Sequence, residues 1–134
     1  MSRLLLDTSA YSAMRRGDRR LLQALREASE VILTTVVLGE LLYGFVGGTL
    51  ESKNREVLRD FLDSERVDVV PVDEETAERY AAIRNHLRGR GRPIPTNDLW
   101  IAASAAQHGL VLLTLDKHFT DVPHILVEYF EPAS

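Results

Sequence analysis

Pro95-Thr96-Asn97-Asp98-Leu99-Trp100-Ile101-Ala102-Ala103-Ser104-Ala105-Ala106-Gln107-His108-Gly109-Leu110-Val111-Leu112-Leu113-Thr114-Leu115-Asp116 is the stretch whose reading decides the fold class. Pro95 disfavours helix at Ile94, Thr96 is placed to cap a first turn, and Leu99, Ile101, Ala102, Ala105 and Ala106 predict a largely buried helix closing at His108-Gly109. Leu110 to Thr114 then predicts a buried strand that stops at Leu115-Asp116-Lys117. A buried helix feeding a buried strand is the repeating unit of an α/β sheet. Asp98 sits in the first turn, near the positive end of the helix dipole. Alone it reads as an ordinary first-turn acid; three other carboxylates give it weight.

The same pattern of strand then acid opens the chain, where Arg3-Leu4-Leu5-Leu6 meets Asp7-Thr8-Ser9. Ser9 is expected to cap a short helix through Met14 ended by Gly17, and Asp18 a second helix with Leu21, Leu22 and Leu25 on one face. Val31-Ile32-Leu33 predicts a second strand. A helix from Val36 to Phe45 follows, with Glu40 set among Val37, Leu38, Leu41 and Leu42 and an end at Gly47-Gly48. Glu51 to Glu65 has the spacing of an amphipathic surface helix. Val67 to Val72 is a third strand that Pro71 restricts to a sheet edge or a strand end. Asp73 caps a helix to Leu87 with Ala77, Tyr80, Ala81 and Leu87 inward, the basic loop Gly89 to Pro93 follows, and Ile125 to Val127 is a last short strand. Strands alternating with helices predict a three-layer α/β/α fold on a mainly parallel sheet, read as one domain over residues 1–134.

Composition narrows the chemistry. With no cysteine in 134 residues, disulfides and thiolate metal sites are excluded. The net charge of −4 argues against a non-specific nucleic-acid coat protein, though local basic patches leave a nuclease open. The apolar run at the N-terminus is too short for a signal-peptide core and no later run approaches a membrane span, so a cytoplasmic protein is expected.

In open α/β sheets ligands bind beyond the carboxyl ends of the strands, where Asp7 and Asp116 are expected. Carboxylates crowded in one crevice repel, and such a cluster takes up either protons or a cation. An all-oxygen set suits Mg²⁺ or Mn²⁺ over Zn²⁺, and a sparse Mg²⁺ site leaves positions for substrate phosphate oxygens. A divalent ion there would activate water against a phosphodiester.

Four segments in order carry a family resemblance. Leu4-Leu5-Leu6-Asp7-Thr8-Ser9, Val37-Leu38-Gly39-Glu40-Leu41-Leu42-Tyr43-Gly44, Thr96-Asn97-Asp98-Leu99-Trp100-Ile101-Ala102-Ala103 and Leu113-Thr114-Leu115-Asp116-Lys117-His118-Phe119 resemble the motifs of PIN-domain ribonucleases, specifically VapC-type toxins. The resemblance covers essentially the whole chain. It implies catalytic Asp7, Glu40, Asp98 and Asp116, with Asp7, Asp98 and Asp116 on the metal and Glu40 orienting the nucleophile. Thr8 or Ser9 and Asn97 would support them by hydrogen bonding. It further implies a Mg²⁺- or Mn²⁺-dependent endoribonuclease acting as a toxin, leaving a 3′-hydroxyl and a 5′-phosphate. A VapB-like antitoxin and a homodimer are its implied partners. The rival is a catalytically silent PIN-like module that binds protein.

Position 9 is Ser, where haloacid-dehalogenase-like phosphatases require a second Asp, and the paired early acids of response-regulator receivers are missing. Arg15, Arg16, Arg19 and Arg20 follow Asp7, and Arg84, Arg88, Arg90 and Arg92 precede Asp98. Read alone they are solvated surface; beside an acidic crevice Arg15, Arg16, Arg88, Arg90 and Arg92 become candidate RNA contacts. Tyr43 and Phe45 read equally as core or as antitoxin-facing surface, Trp100 as packing, and His86, His108, His118 and His124 as surface or loop residues. Asp121 reads as a turn residue that also falls within reach of Asp116.

Overall fold

A computed structural model describes residues 2–133. The strands β1 (Arg3–Leu6), β2 (Glu30–Thr34), β3 (Val67–Val70), β4 (Val111–Thr114) and β5 (Leu126–Tyr129) form one sheet in the order β3-β2-β1-β4-β5, with every neighbouring pair parallel. The helices α1 (Thr8–Arg15), α2 (Arg19–Glu27), α3 (Thr35–Phe45), α4 (Glu51–Leu62), α5 (Glu74–Gly89) and α6 (Thr96–His108) flank it. The architecture is the expected α/β/α sandwich. Leu4, Leu5 and Leu6 on β1 and Leu112 and Leu113 on β4 are fully buried, since a central parallel strand is covered on both faces and selects apolar runs over alternation.

Strand order creates the site. The chain moves outward from β1 to β2 and β3, then returns to place β4 on the other side of β1. Such a reversal leaves a crevice at the carboxyl ends of the two strands that flank it. Asp7 directly follows β1 and Asp116 lies two residues beyond β4. Because α6 leads into β4, it runs against the strand direction and begins at the carboxyl edge, which brings Asp98 to the same place. The preceding helix α5 makes this possible by packing antiparallel to α6. Gln107 Nε2, near the end of α6, donates to Asp73 Oδ1 ahead of α5 at 2.9 Å, and the Thr76 hydroxyl bonds Gln107 as well. Gly109 stops α6 with a φ of 63°, and Leu110 N then donates to Ala105 O at 3.0 Å.

Several local expectations are corrected. Asp7, not Ser9, caps α1: its carboxylate accepts from Ala10 N at 2.8 Å while Ser9 lies within the helix and donates its hydroxyl to Asp7. At α6 the cap position is Pro95, with no side-chain bond, and Thr96 is already helical. On α5 the inward residues are Thr76, Tyr80, Ile83 and Leu87, one helical face, whereas Ala77 and Ala81 are exposed. β3 ends at Val70 because Pro71 has no N–H to give, and it is an edge strand. α4 stops at Leu62, short of Glu65, and β5 runs Leu126–Tyr129 instead of starting at Ile125.

Leu5 pairs with Ile32 on one side and Leu112 on the other at 0% exposure. Leu5→Ala is expected to lower unfolding stability by about 2–5 kcal/mol in a urea titration, the range for a cavity that packed neighbours cannot refill.

Candidate active site

The carboxylates of Asp7, Glu40, Asp98 and Asp116 line a single cleft of about 300 Å³, together with Thr8, Ser9, Ser12 and Ile101. Asp7 forms its floor. Only 4% exposed, it accepts from Thr114 Oγ1 at 2.5 Å, from Ser9 Oγ at 2.7 and 2.9 Å, and from Ala10 N. Thr114 Oγ1 in turn accepts from Asp116 N at 2.9 Å, and Ser9 Oγ from Leu115 N at 3.0 Å. The two strand ends are thereby bonded to each other through side chains.

Glu40 reaches the cleft from α3. Thr8 Oγ1 donates to its Oε1 at 2.6 Å and Asn97 Nδ2 to its Oε2 at 3.3 Å, so α1, α3 and α6 meet on one carboxylate. Thr8, Ser9 and Asn97 thus all hold acids of the cleft.

Asp116 caps the short 3-10 turn Lys117–Asp121, accepting from His118 N at 2.9 Å. That turn folds His118 back over the cleft, with Nδ1 3.1 Å from Asp116 Oδ1 and 3.6 Å from Asp98 Oδ2. Ligand atoms of Asp98, Asp116 and His118 lie within 4.8 Å of one another, close enough for one ion's coordination shell. His118 is the site residue that the sequence reading left as surface. The signal available was its position two residues after an acid that caps a turn. Thr114 was likewise hidden as the last residue of an apolar strand.

Burial first, then the nearby charges of Asp116, Glu40 and Asp7, push the Asp98 carboxyl up to about 6 against the opposing effect of His118. Asp7 is also pushed up, by burial first, against the hydrogen bonds of Thr114, Ala10 and Ser9. These are the marks of a cluster short of positive charge. The donor set of carboxylates with one imidazole fits a divalent cation.

The basic candidates divide. Arg15 and Arg16 line a recess that shares Ser12 with the acidic cleft, and Arg88 lines a pocket with Thr96 and Leu99 at the start of α6. Arg90 and Arg92 lie with Asp121, which pairs with Arg92 at 3.3 Å and does not line the cleft. Tyr43 is 83% exposed, while Phe45 is half-buried against the core and Trp100 stacks on Tyr80 at 3.9 Å between centroids.

An open parallel α/β fold with four acids converging where β1 and β4 part is the geometry on which the comparisons with known proteins bear. Residues 4–125 match the PIN domain family. Ribonuclease VapC5 of Mycobacterium tuberculosis is 36% identical over 114 residues, covering 85% of this chain and 83% of that protein. DNA-bound VapBC from Salmonella typhimurium superposes with a TM-score of 0.84 at 26% identity, over 96% of this chain and 98% of that one. FitAcB from Neisseria gonorrhoeae does so with a TM-score of 0.75 at 30% identity, over 92% and 95%. This chain belongs to the PIN domain family, among its VapC-type members.

A group protonated in the fold up to about pH 6 stabilises the ion-free protein most below its unfolded value of 3.8, and that contribution is lost as pH rises through 6. Asp98→Asn is therefore expected to raise the Tm of the EDTA-treated protein at pH 8 by about 3 °C, an effect of about 1 kcal/mol, and to leave it unchanged at pH 3.5. Scanning calorimetry at the two pH values checks the sign.

Proposed function

We propose that this chain is a divalent-metal-dependent endoribonuclease, Mg²⁺ or Mn²⁺ serving as the ion, and that it acts as the toxin of a toxin–antitoxin pair. The observation that carries the reading is the meeting of Asp7, Glu40, Asp98 and Asp116 in one cleft. Asp7, Asp98 and Asp116 would hold the ion, and His118 stands within reach of both outer acids. When bound, the ion offsets charge developing on the phosphate oxygens and makes water acidic enough to attack.

The side chains supply the rest. Asp98, with its carboxyl raised to about 6 by burial and the neighbouring acids, is still ionised at neutral pH and free to take a cation. Glu40, fixed at both oxygens by Thr8 and Asn97, orients the attacking water from the α3 side. Water adds to phosphorus as the bond to the 3′ oxygen breaks, leaving a 3′-hydroxyl and a 5′-phosphate. Asp7 keeps the floor rigid, so the outer acids need no rearrangement as substrate arrives.

The similarity to proteins solved as VapBC and FitAB complexes supports a VapB-like antitoxin as partner, with a homodimer as the proposed assembly. Among the described residues no helix is long and apolar enough to cross a membrane, and the proposed place of action is the cytoplasm, where RNA is met. All four acids are in place, which disfavours the silent protein-binding module.

Purified, antitoxin-free protein is expected to cut single-stranded or structured RNA with Mg²⁺ or Mn²⁺ and to be silent in EDTA. Asp98→Asn should lose at least about 100-fold in rate, the upper range for disturbing even an outer-shell partner of a metal ligand. Cleavage unaffected by EDTA and by the variant would refute the mechanism.

A further inference from the structure

His118 differs in kind from the acids it faces. It is carried by the 3-10 turn Lys117–Asp121, and among the described residues it is the one basic side chain within ion-pairing distance of Asp98 or Asp116. Two roles are open to such an imidazole: a counter-ion that neutralises the acids, or a neutral ligand that joins them around an ion. The two roles aim the ring nitrogen differently. A counter-ion points its N–H at one carboxylate oxygen, whereas a ligand points its nitrogen at the space between oxygens.

Direction separates them here. Nδ1 lies 3.1 Å from Asp116 Oδ1 and 3.6 Å from Asp98 Oδ2. At 3.1 Å length alone permits a hydrogen bond, yet among the described residues His118 bonds to Asp116 only through its backbone N–H, at 2.9 Å. The in-plane direction of Nδ1 therefore misses the nearer oxygen, as it should if the nitrogen serves a third body and not that carboxylate.

Spacing agrees with direction. Neighbouring ligands of an octahedral ion with bonds of about 2.1 Å stand about 3 Å apart and opposite ones about 4 Å. The ligand atoms of Asp98, Asp116 and His118 all lie within 4.8 Å of one another. A nitrogen thus enters what the sequence predicts as an all-oxygen set. Mg²⁺ is hard, dehydrates reluctantly and favours oxygen, while imidazole suits ions of the transition series; Mn²⁺ also accepts carboxylate, and gains more from the added nitrogen.

We propose that His118 Nδ1 is a ligand of the ion shared by Asp98 and Asp116, and that this nitrogen makes the site prefer Mn²⁺ over Mg²⁺. The assignment rests on the metal-dependent reading above and names the ion within it.

The test is titration calorimetry of each metal alone into the EDTA-stripped protein and into His118→Ala, with pulsed EPR of the Mn²⁺-loaded samples. The histidine side chain is 56% exposed and alanine keeps the backbone N–H that bonds Asp116, so the variant is expected to fold. Circular dichroism checks this, and His118→Gln, closer in size, stands in if the alanine variant is unfolded. The unaltered protein is expected to bind Mn²⁺ at least about tenfold more tightly than Mg²⁺ and to show a nitrogen hyperfine coupling to manganese. The variant should lose that coupling, bind Mn²⁺ at least about tenfold more weakly and bind Mg²⁺ less than about threefold more weakly. Mn²⁺ binding without nitrogen coupling in the unaltered protein would overturn the assignment while the nuclease reading stands. Equal or tighter Mn²⁺ binding by the variant would do the same and make the imidazole a counter-ion that competes with metal. Equal affinity of the unaltered protein for the two metals would refute the preference. No Mn²⁺ binding by the unaltered protein would overturn the metal-dependent reading itself, and this assignment with it.

Discussion

The hydrogen bond from Thr114 to Asp7 ties together the two strand ends on which the site is built. Asp7 follows β1, Thr114 ends β4, and the two strands are neighbours only because the chain reverses direction across the sheet. The same threonine oxygen accepts from Asp116 N, so the position of the outer acid is set by the inner one. Ser9, the second residue of α1, repeats the device, donating to Asp7 and accepting from Leu115 N. Buried polar groups of this kind hold their geometry because each would be costly unpaired.

On that floor the protein gathers charges that repel. Asp98 is pushed up to about 6 by burial and by three neighbouring acids, so the ion-free site is a local source of instability that the surrounding core sustains. The core that bears it is the leucine-filled centre of the sheet and the buried face of α6. Hydrogen bonds to Glu40 and Asp7 take up lone pairs without neutralising charge, which leaves the cluster rigid and still in need of a cation. His118 is placed to relieve part of that need between Asp116 and Asp98.

Much of this was legible in the sequence, for physical reasons. Asp7 and Asp116 stand where apolar runs end, Asp98 opens an apolar helix and Glu40 interrupts one, and an acid in such a place is conspicuous. The parallel sheet followed from buried runs alternating with helical spacing. What escaped depended on approach in three dimensions. Thr114 looked like the tail of a strand because its partner is 107 residues away. His118 looked like surface because the turn that folds it back is made by Asp116 itself. Ser9 was expected to cap α1, yet the Asp7 carboxylate is the stronger acceptor and takes that role. On α5 the alanines suited either face, and only the pairing with α6 turned Thr76 and Ile83 inward.

The central claim is that Asp7, Asp98 and Asp116 hold a divalent cation, and a crystal of the protein grown with Mn²⁺ and measured for anomalous scattering at the manganese edge tests it most directly. The account predicts a single strong peak in the cleft, about 2.1 Å from carboxylate oxygens of both Asp98 and Asp116. No peak there at millimolar Mn²⁺, or peaks only at surface acids away from these residues, would contradict it.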